Sequence, residues 1–219
     1  MNTQIPKEEN LYIDIGASSK EEAEKYVKKG DYFAFDSDFI QQGDMIKAKA
    51  LDDRVGCALL IEMLKMDLDC NIICAFVTCE EVGHLGAISA LENIKADYAL
   101  VIEGTSCNDM AGVPDEKRVT RFGGGIAISV MDYGSVASQS LAQKLIETAD
   151  KNGVKWQYKA SVRGGNDARV VSTSGGGIET ASLSVPCKYI HSPISVMNKN
   201  DFDSGLMLVA KFLEVAEVI

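Results

Sequence analysis

Two adjacent glutamates, Glu80 and Glu81, occur in the stretch TCEEVGHLG, directly after the apolar run NIICAFVTC. Adjacent negative charges repel each other, and a bound cation is one way to offset that repulsion. The chain has only two histidines, His84 and His191, so a metal site in this protein must depend mainly on carboxylates. Carboxylate oxygens combined with one imidazole nitrogen suit zinc, cobalt or manganese.

Four further polar clusters follow apolar runs along the chain. They are LDDRVG (51–56), VIEGTS (101–106), RGGNDA (163–168) and YIHSP (189–193). Each cluster also has an ordinary structural explanation, because an aspartate before a helix is a common N-cap and glutamates are favoured in a first helical turn. The first of the two histidines, His84, is predicted as a loop residue. Taken together, the clusters would bring several carboxylates and one imidazole to one edge of a sheet.

If the clusters meet, a division of chemical roles follows from the residue types. Asp52, which lies before a helix, can bridge two ions with its two carboxylate oxygens. Glu81 and His191 would complete three protein ligands around one ion and leave a position open for water. Glu80, adjacent but not a ligand, would be the general base that takes a proton from that water.

The apolar pattern predicts the elements that must position these residues. From residue 51 onward, segments with helical spacing alternate with short apolar runs, an order typical of α/β folds. The runs NIICAFVTC (71–79) and DYALVIEGT (97–105) have the continuous apolar character of strands that are buried on both faces. We therefore predict a three-layer α/β/α sandwich with a mixed, largely parallel sheet, in which ligands bind at the strand ends.

Residues 1–50 have a different pattern and are predicted as a partial β-rich subdomain, separate from residues 51–219. Within it, LYIDIGA (11–17), KGDYFAFDSDF (29–39) and QQGDMIKAKA (41–50) are predicted strands. SKEEAEKYVKK is a predicted charged helix, with Ser18 or Ser19 as its N-cap.

Composition excludes several classes of protein. With 46% hydrophobic residues in 219, the chain can form a core without disulfides. A net charge of −10 argues against a nucleic-acid partner, and no apolar run is long enough to span a bilayer. The N-terminus shows no signal-peptide pattern. The six cysteines show no CxxC spacing and indicate reduced thiols, so we expect a cytoplasmic protein.

Five segments, in their order along the chain, resemble the M42 family of metallo-aminopeptidases, the tetrahedral and glutamyl-aminopeptidase-like group. They are ALDDRVGCALLIEML, TCEEVGHLGA, VIEGT, GGNDA and VPCKYIHSP. The segment IDIGASSKEEA also resembles part of that family's small, PDZ-like dimerisation domain. The resemblance implies a metallopeptidase catalytic domain in residues 51–219 that removes N-terminal residues from peptides. It also implies a homo-oligomer built from dimers, with active sites facing an interior.

The resemblance assigns residues one by one. Asp52 matches the aspartate that bridges two divalent ions, Glu80 the general base, and Glu81 a terminal metal ligand. Glu103 matches a carboxylate ligand that is more usually aspartate, and His191 matches the C-terminal histidine ligand.

The GGNDA motif is predicted to contact substrate through Gly164, Gly165 and Asp167.

The sequence departs from the family because nothing in it matches the N-terminal His-x-Asp motif, whose histidine binds the second metal. The catalytic domain is therefore predicted to be truncated. One metal position keeps Asp52, Glu81 and His191, whereas the second keeps only Asp52 and Glu103. Because lost ligands weaken a metal site, we predict one tightly held ion per chain and a weakened second position. Missing strands would also expose a sheet edge, so we expect self-association.

Three functional hypotheses follow. The first is a metal-dependent aminopeptidase, with zinc, cobalt or manganese, whose missing segment can be supplied by another chain. The second is a catalytically impaired or regulatory fragment of such an enzyme. The third is another amide hydrolysis, such as deacylation, on the same scaffold.

Overall fold

The computed structural model describes residues 5–214. The segment NDFDSGLMLVAKFLEVAEVI (200–219) is predicted from its amphipathic pattern as a long closing helix, and the last five residues of that prediction lie outside the described range. The chain divides into two compact units, Met1–Phe35 and Asp36–Ile219. The sequence places its division after residue 50 instead. The difference arises because the segment from residue 40 to residue 48 pairs with the large sheet of the second unit.

The first unit contains a 3-10 turn, Glu8–Asn10, and one short helix, α1, Lys20–Ala23. Ser19 caps α1 as predicted, because its hydroxyl accepts the Glu22 N–H at 3.1 Å. In the described residues, neither predicted strand, 11–17 or 29–39, is formed. Tyr12 and Tyr32 in these segments are exposed. A strand needs a hydrogen-bonding neighbour, and neither segment has one.

The second unit carries the remaining regular elements of the described residues. Its strands are β1 (Ile40–Gln42), β2 (Met45–Ala48), β3 (Tyr98–Ser106), β4 (Ile126–Ser129), β5 (Trp156–Tyr158), β6 (Glu179–Lys188) and β7 (Ser195–Asn198). Its α-helices are α2 (Leu51–Leu64), α3 (Leu85–Leu91), α4 (Gln139–Lys151), α5 (Ala168–Val171) and α6 (Lys199–Leu213).

The seven strands form one sheet in the order β1-β2-β7-β6-β4-β5, with β3 paired to β6. The predicted mixed α/β sheet is confirmed, although its parallel share is smaller than predicted. Only β3–β6 and β4–β5 are parallel, and the other four pairings are antiparallel. The short connections inside β1–β2 and β6–β7 cannot join parallel neighbours, which require a long crossover.

The core lies between the central strands and three long helices. Leu59 of α2, Leu145 of α4 and Leu208 of α6 are fully buried in it. The central strand β6 is buried at every position from residue 180 to residue 187. A strand buried at successive positions is covered on both faces, and this supports the predicted three-layer arrangement.

The apolar run at residues 71–79 is the main disagreement between sequence and structure. It is not a strand in the structure, and Ile73, Phe76 and Val77 are exposed. The prediction of a buried strand is therefore wrong. Apolar composition favours burial, but a strand also needs a paired neighbour, and residues 71–79 form no ladder with the described strands.

No helix among residues 5–214 has both the length and the apolar character needed to cross a membrane.

Candidate metal centre

Three side chains from distant parts of the sequence converge at one point. Nε2 of His191 lies 3.4 Å from Oδ2 of Asp52 and 3.2 Å from Oε1 of Glu81. Asp52 belongs to the first turn of α2, Glu81 to the 3-10 turn Glu80–Val82, and His191 to the connection between β6 and β7. The structure thus brings together the three residues that the sequence predicts as one ligand set.

The group is open on one side. The side chain of Asp52 is 16% exposed, whereas those of Glu81 and His191 are 56% and 61% exposed. Asp52 is therefore the buried member of the group, and the other two residues are its solvent-exposed members. Such an opening leaves room for water and for a substrate beside the ligands.

The backbone around this group takes up conformations that few residues adopt. Among the described residues, five non-glycine residues have φ between 51° and 61°: Ala50, Cys79, His84, Tyr189 and His191. This left-handed conformation costs an L-residue roughly 1–2 kcal/mol. Four of the five are candidate site residues or lie within two positions of one, and the fifth, His84, lies 3.4 Å from the carboxylate of Glu80. Clustering of this kind is typical of functional sites, where surrounding structure holds the strained backbone in place.

A glycine at the end of β3 makes room for Asp52. A Cβ atom at Gly104 would lie 3.0 Å from Cβ of Asp52, which is tighter than ordinary van der Waals contact. The Gly104 N–H also lies near the Asp52 carboxylate and acts to lower its pKa. The start of α2 can therefore approach the end of β3 closely enough to fix the buried ligand.

Two carboxyl groups of the site are shifted toward their protonated forms. Burial raises the pKa of Asp52 and the charge of Glu81 raises it further, against the opposing effects of His191 and the Gly104 N–H. Burial and the charge of Glu81 likewise raise the pKa of Glu80. A proton acceptor with a raised pKa is better matched to catalysis near neutral pH.

The structure does not bring Glu103 into the Asp52 group. Its Oε1 accepts hydrogen bonds from Nδ2 of Asn166 at 2.8 Å and from Oγ of Ser184 at 3.0 Å. Burial raises the pKa of Glu103 to about 8, because the charge of Lys159 and these hydrogen bonds only partly offset it. Its role as a ligand of a second ion remains a prediction.

The GGNDA loop lies beside the same site through Asp167. Oδ1 of Asp167 is 3.0 Å from Nδ1 of His84, which in turn lies 3.4 Å from Oε1 of Glu80. Sequence reasoning assigns His84 to a loop and misses this contact. A sequence signal exists only for the contact of His84 with Glu80, because these two residues are four positions apart. Asn166 is a second omission, and its bond to Glu103 fixes the loop against β3. Substrate contacts by Gly164, Gly165 and Asp167 remain predictions.

The Asp52 group fits a divalent cation. Two ligand atoms at 2.0–2.1 Å from a tetrahedral zinc ion lie about 3.3 Å apart, close to the separations of Nε2 of His191 from the two carboxylates. Within residues 5–214, no lysine or arginine nitrogen lies within 4.0 Å of Asp52 or Glu81. The donor set, one imidazole and two carboxylates, suits zinc, cobalt or manganese.

Comparison with known proteins decides the family. The family model for the M42 glutamyl aminopeptidases matches residues 1–208. This chain belongs to that family. The M42 chain spans about three fifths of the length of the curated relatives that it matches.

Similar M42 proteins include enzymes and large assemblies. The lysyl aminopeptidase of Pyrococcus furiosus is 30% identical over 213 residues, which cover 94% of this chain and 60% of the relative. Aminopeptidase APDkam598 from Desulfurococcus kamchatkensis is 32% identical, with a TM-score of 0.92 over 97% of this chain and 61% of that one. The TET1 peptidase of Pyrococcus horikoshii, which can assemble into a tetrahedron or an octahedral shell, is 32% identical. Its TM-score is 0.79 over 91% of this chain and 59% of that one.

Proposed function

We propose that this protein is a metal-dependent aminopeptidase that removes N-terminal residues from peptides. The convergence of Asp52, Glu81 and His191 beside Glu80 is the observation that carries the proposal. Membership of the M42 family supports it, as does the lysyl aminopeptidase activity named for a relative.

The residues divide the work of hydrolysis as follows. Asp52, Glu81 and His191 would hold a divalent ion, which when bound lowers the pKa of water and polarises a carbonyl group. Glu80 lies in the same 3-10 turn as the ligand Glu81, so its carboxylate would lie beside water held at the ligand group. It would accept a proton from the attacking water and return it to the amine that leaves. Asp167, whose side chain lies 3.0 Å from His84, would contact the substrate.

The metal and the assembly are part of the proposal. Zinc, cobalt and manganese all accept the donor set, and one tight ion per chain agrees with the three ligands of the Asp52 group. A homo-oligomer is supported by the assemblies named for TET1 and by the exposed apolar residues of segment 71–79. Six free cysteines support the reducing cytoplasm as the location.

A second candidate, a metal-binding but catalytically impaired member of the family, is favoured by the position of Glu103. This carboxyl group bonds to Asn166 and Ser184 and is not part of the Asp52 group. An enzyme that needs two ions would then lack a complete second position. Both candidates bind one ion tightly, and only the first one turns substrate over.

The test combines turnover with metal binding in one pair of proteins. The wild type is assayed on aminoacyl-nitroanilides with Co²⁺ or Zn²⁺, and Glu80→Gln is assayed alongside it. We expect Glu80→Gln to lower kcat by roughly 10²–10⁴-fold while calorimetry shows an unchanged tight ion, because Glu80 is not one of the three ligands of that ion. Absence of turnover by the wild type on every substrate, with the ion bound, would leave the impaired protein as the function.

A further inference from the structure

A second histidine-centred group of metal-binding side chains lies beside the first. It consists of Glu80, His84 and Asp167, whose ligand atoms all lie within 4.8 Å of one another. The side chains of His84 and Asp167 are 16% and 12% exposed, and that of Glu80 is 35% exposed. This group is more enclosed than the Asp52 group.

In both groups a histidine nitrogen lies at a similar distance from two carboxylate oxygens. In the second group, Nδ1 of His84 is 3.0 Å from Asp167 and 3.4 Å from Glu80. In the first, Nε2 of His191 is 3.4 Å and 3.2 Å from its two carboxylates. Ligand atoms around one tetrahedral zinc ion are about 3.3 Å apart. Each group therefore offers one nitrogen and two carboxylate oxygens at separations that suit one ion.

The carboxylate of Asp167 is available for such a role. Asp167 occupies the N-cap position of α5, yet its side chain makes no capping hydrogen bond. The Ala168 N–H donates to Oδ1 of Asn166 instead. Within the described part of the chain, neither Asp167 nor Glu80 has a lysine or arginine nitrogen within 4.0 Å. The side chain of Asp167 is thus directed to His84 without a cationic partner of its own.

We propose that Glu80, His84 and Asp167 form a second, inhibitory site for a divalent ion of the zinc type. The inhibitory part rests on the proposed function, in which Glu80 is the proton acceptor. An ion held by Glu80 would occupy that carboxylate, so the first equivalent of metal activates the enzyme and an excess inhibits it.

The proposal is tested by counting ions in a matched pair of variants. His84 and His191 both have left-handed backbone conformations, with φ of 61° and 58°, and asparagine accepts this conformation readily. His84→Asn and His191→Asn therefore remove one imidazole each without adding backbone strain. Metal-free protein is titrated with Co²⁺ and followed by its visible absorption and by calorimetry.

We expect the wild type to bind two equivalents of Co²⁺ with affinities at least tenfold apart. His84→Asn should lose the weaker equivalent and keep the tighter one, and His191→Asn should do the reverse. Asp167→Asn changes the same site from another element, so it replaces His84→Asn if that variant does not fold. Where turnover is measurable, inhibition by excess Zn²⁺ should shift at least tenfold to higher concentration in His84→Asn.

Ion counting does not depend on turnover, so the site and the proposed function fail separately. A wild type that binds only one equivalent would overturn the second site. Two unchanged equivalents in both His84→Asn and Asp167→Asn would overturn it too, because the weaker ion would then bind elsewhere, for example between Asp52 and Glu103. An active wild type that binds both equivalents without inhibition would overturn the inhibitory role.

Discussion

Glu80 and Glu81 are consecutive in the chain, yet their carboxylates face different histidines. Glu81 faces His191 at 3.2 Å, and Glu80 faces His84 at 3.4 Å. The sequence allows a prediction of different roles for the two glutamates, because adjacent residues point in different directions. It does not reveal the contact between His84 and Asp167, since the two residues are 83 positions apart and meet only through the tertiary fold.

Gly104 provides a residue-scale test of how Asp52 is positioned. In Gly104→Ala the new methyl group would lie 3.0 Å from Cβ of Asp52, so the ligand must move by a few tenths of an ångström. We expect calorimetry to show metal affinity reduced by about 10–100-fold, the range typical when the support of a ligand is disturbed.

The matched control is Gly165→Ala, because the nearest atom to its Cβ position is 3.9 Å away and its φ is not positive. Its metal affinity should equal that of the wild type. Equal affinity in Gly104→Ala as well would show that Asp52 is not positioned by this contact.

At the level of elements, the sequence predicts best those segments that carry their own signals. Helix α4 has a strong apolar periodicity and a Ser138 hydroxyl that accepts the Leu141 N–H, and both features are visible in the sequence. Strands β3 and β6 have equally clear apolar runs, and each finds the other as a partner. Segment 71–79 has a similar apolar composition but no partner strand among the described residues. Strand formation therefore depends on a neighbour that the local sequence cannot specify.

The contact between α2 and β3 depends on Gly56. Replacing Gly56 with alanine should destabilise the protein, although alanine has the higher helix propensity. Alanine is favoured over glycine inside a helix by about 1 kcal/mol. A Cβ at Gly56, however, would lie only 2.6 Å from the carbonyl oxygen of Ile102. We expect Gly56→Ala to lower the free energy of unfolding by about 1–3 kcal/mol in urea denaturation.

Ala58 is exposed on the same helix, so a glycine at this position measures the effect of helix propensity alone. Ala58→Gly should cost about 1 kcal/mol. If Gly56→Ala were instead more stable than the wild type, the close approach of α2 to β3 would be refuted.

Helix α6 holds the loop before β4 through one buried carboxylate. The two oxygens of Asp201 accept the N–H groups of Gly123 at 2.9 Å and Gly125 at 2.7 Å. Burial raises the pKa of Asp201 from 3.8 to about 6, because the hydrogen bonds and Lys155 only partly offset the loss of water. Between pH 4 and 6, Asp201 is therefore protonated to a greater extent in the folded state than in the unfolded state.

A pH dependence of stability follows from this shift. As the pH rises from about 4 to 6, Asp201 should lower the free energy of unfolding by an amount on the order of 2 kcal/mol. Asp201→Asn should lack this contribution, so its stability should fall less steeply with pH in urea denaturation from pH 4.5 to 7. Asp203→Asn, on the same helix but paired with Lys199 at the surface, should keep the wild-type slope. Parallel curves for the wild type and Asp201→Asn would contradict the assignment.

For the whole molecule, surface composition points to an assembled state. The net charge of −10 opposes random association, yet Ile73 is 65% exposed and Phe76 is 47% exposed. Large apolar side chains grouped along one segment are typical of surfaces that contact another chain. The family of the chain could be recognised from its motifs, but the size of its assembly could not, because assembly depends on surfaces and not on motifs.

We therefore expect light scattering to show an oligomer at micromolar concentration. Ile73→Ser combined with Phe76→Ser should shift the mass distribution toward smaller species, because the contact surface loses apolar area. Val136→Ser, which changes a side chain that is 70% exposed elsewhere, should leave the distribution unchanged. A wild type that stays monomeric at this concentration would contradict the expectation.

The five residues with left-handed backbone conformations should influence the outcome of laboratory evolution of this protein. Selection for heat resistance alone, without substrate, should replace Ala50, Cys79 and Tyr189 with glycine or asparagine. Glycine and asparagine adopt the left-handed backbone conformation at a lower cost in free energy. Such replacements would soften the segments that carry the ligands. Gains in thermal tolerance at these positions should therefore come with weaker metal retention.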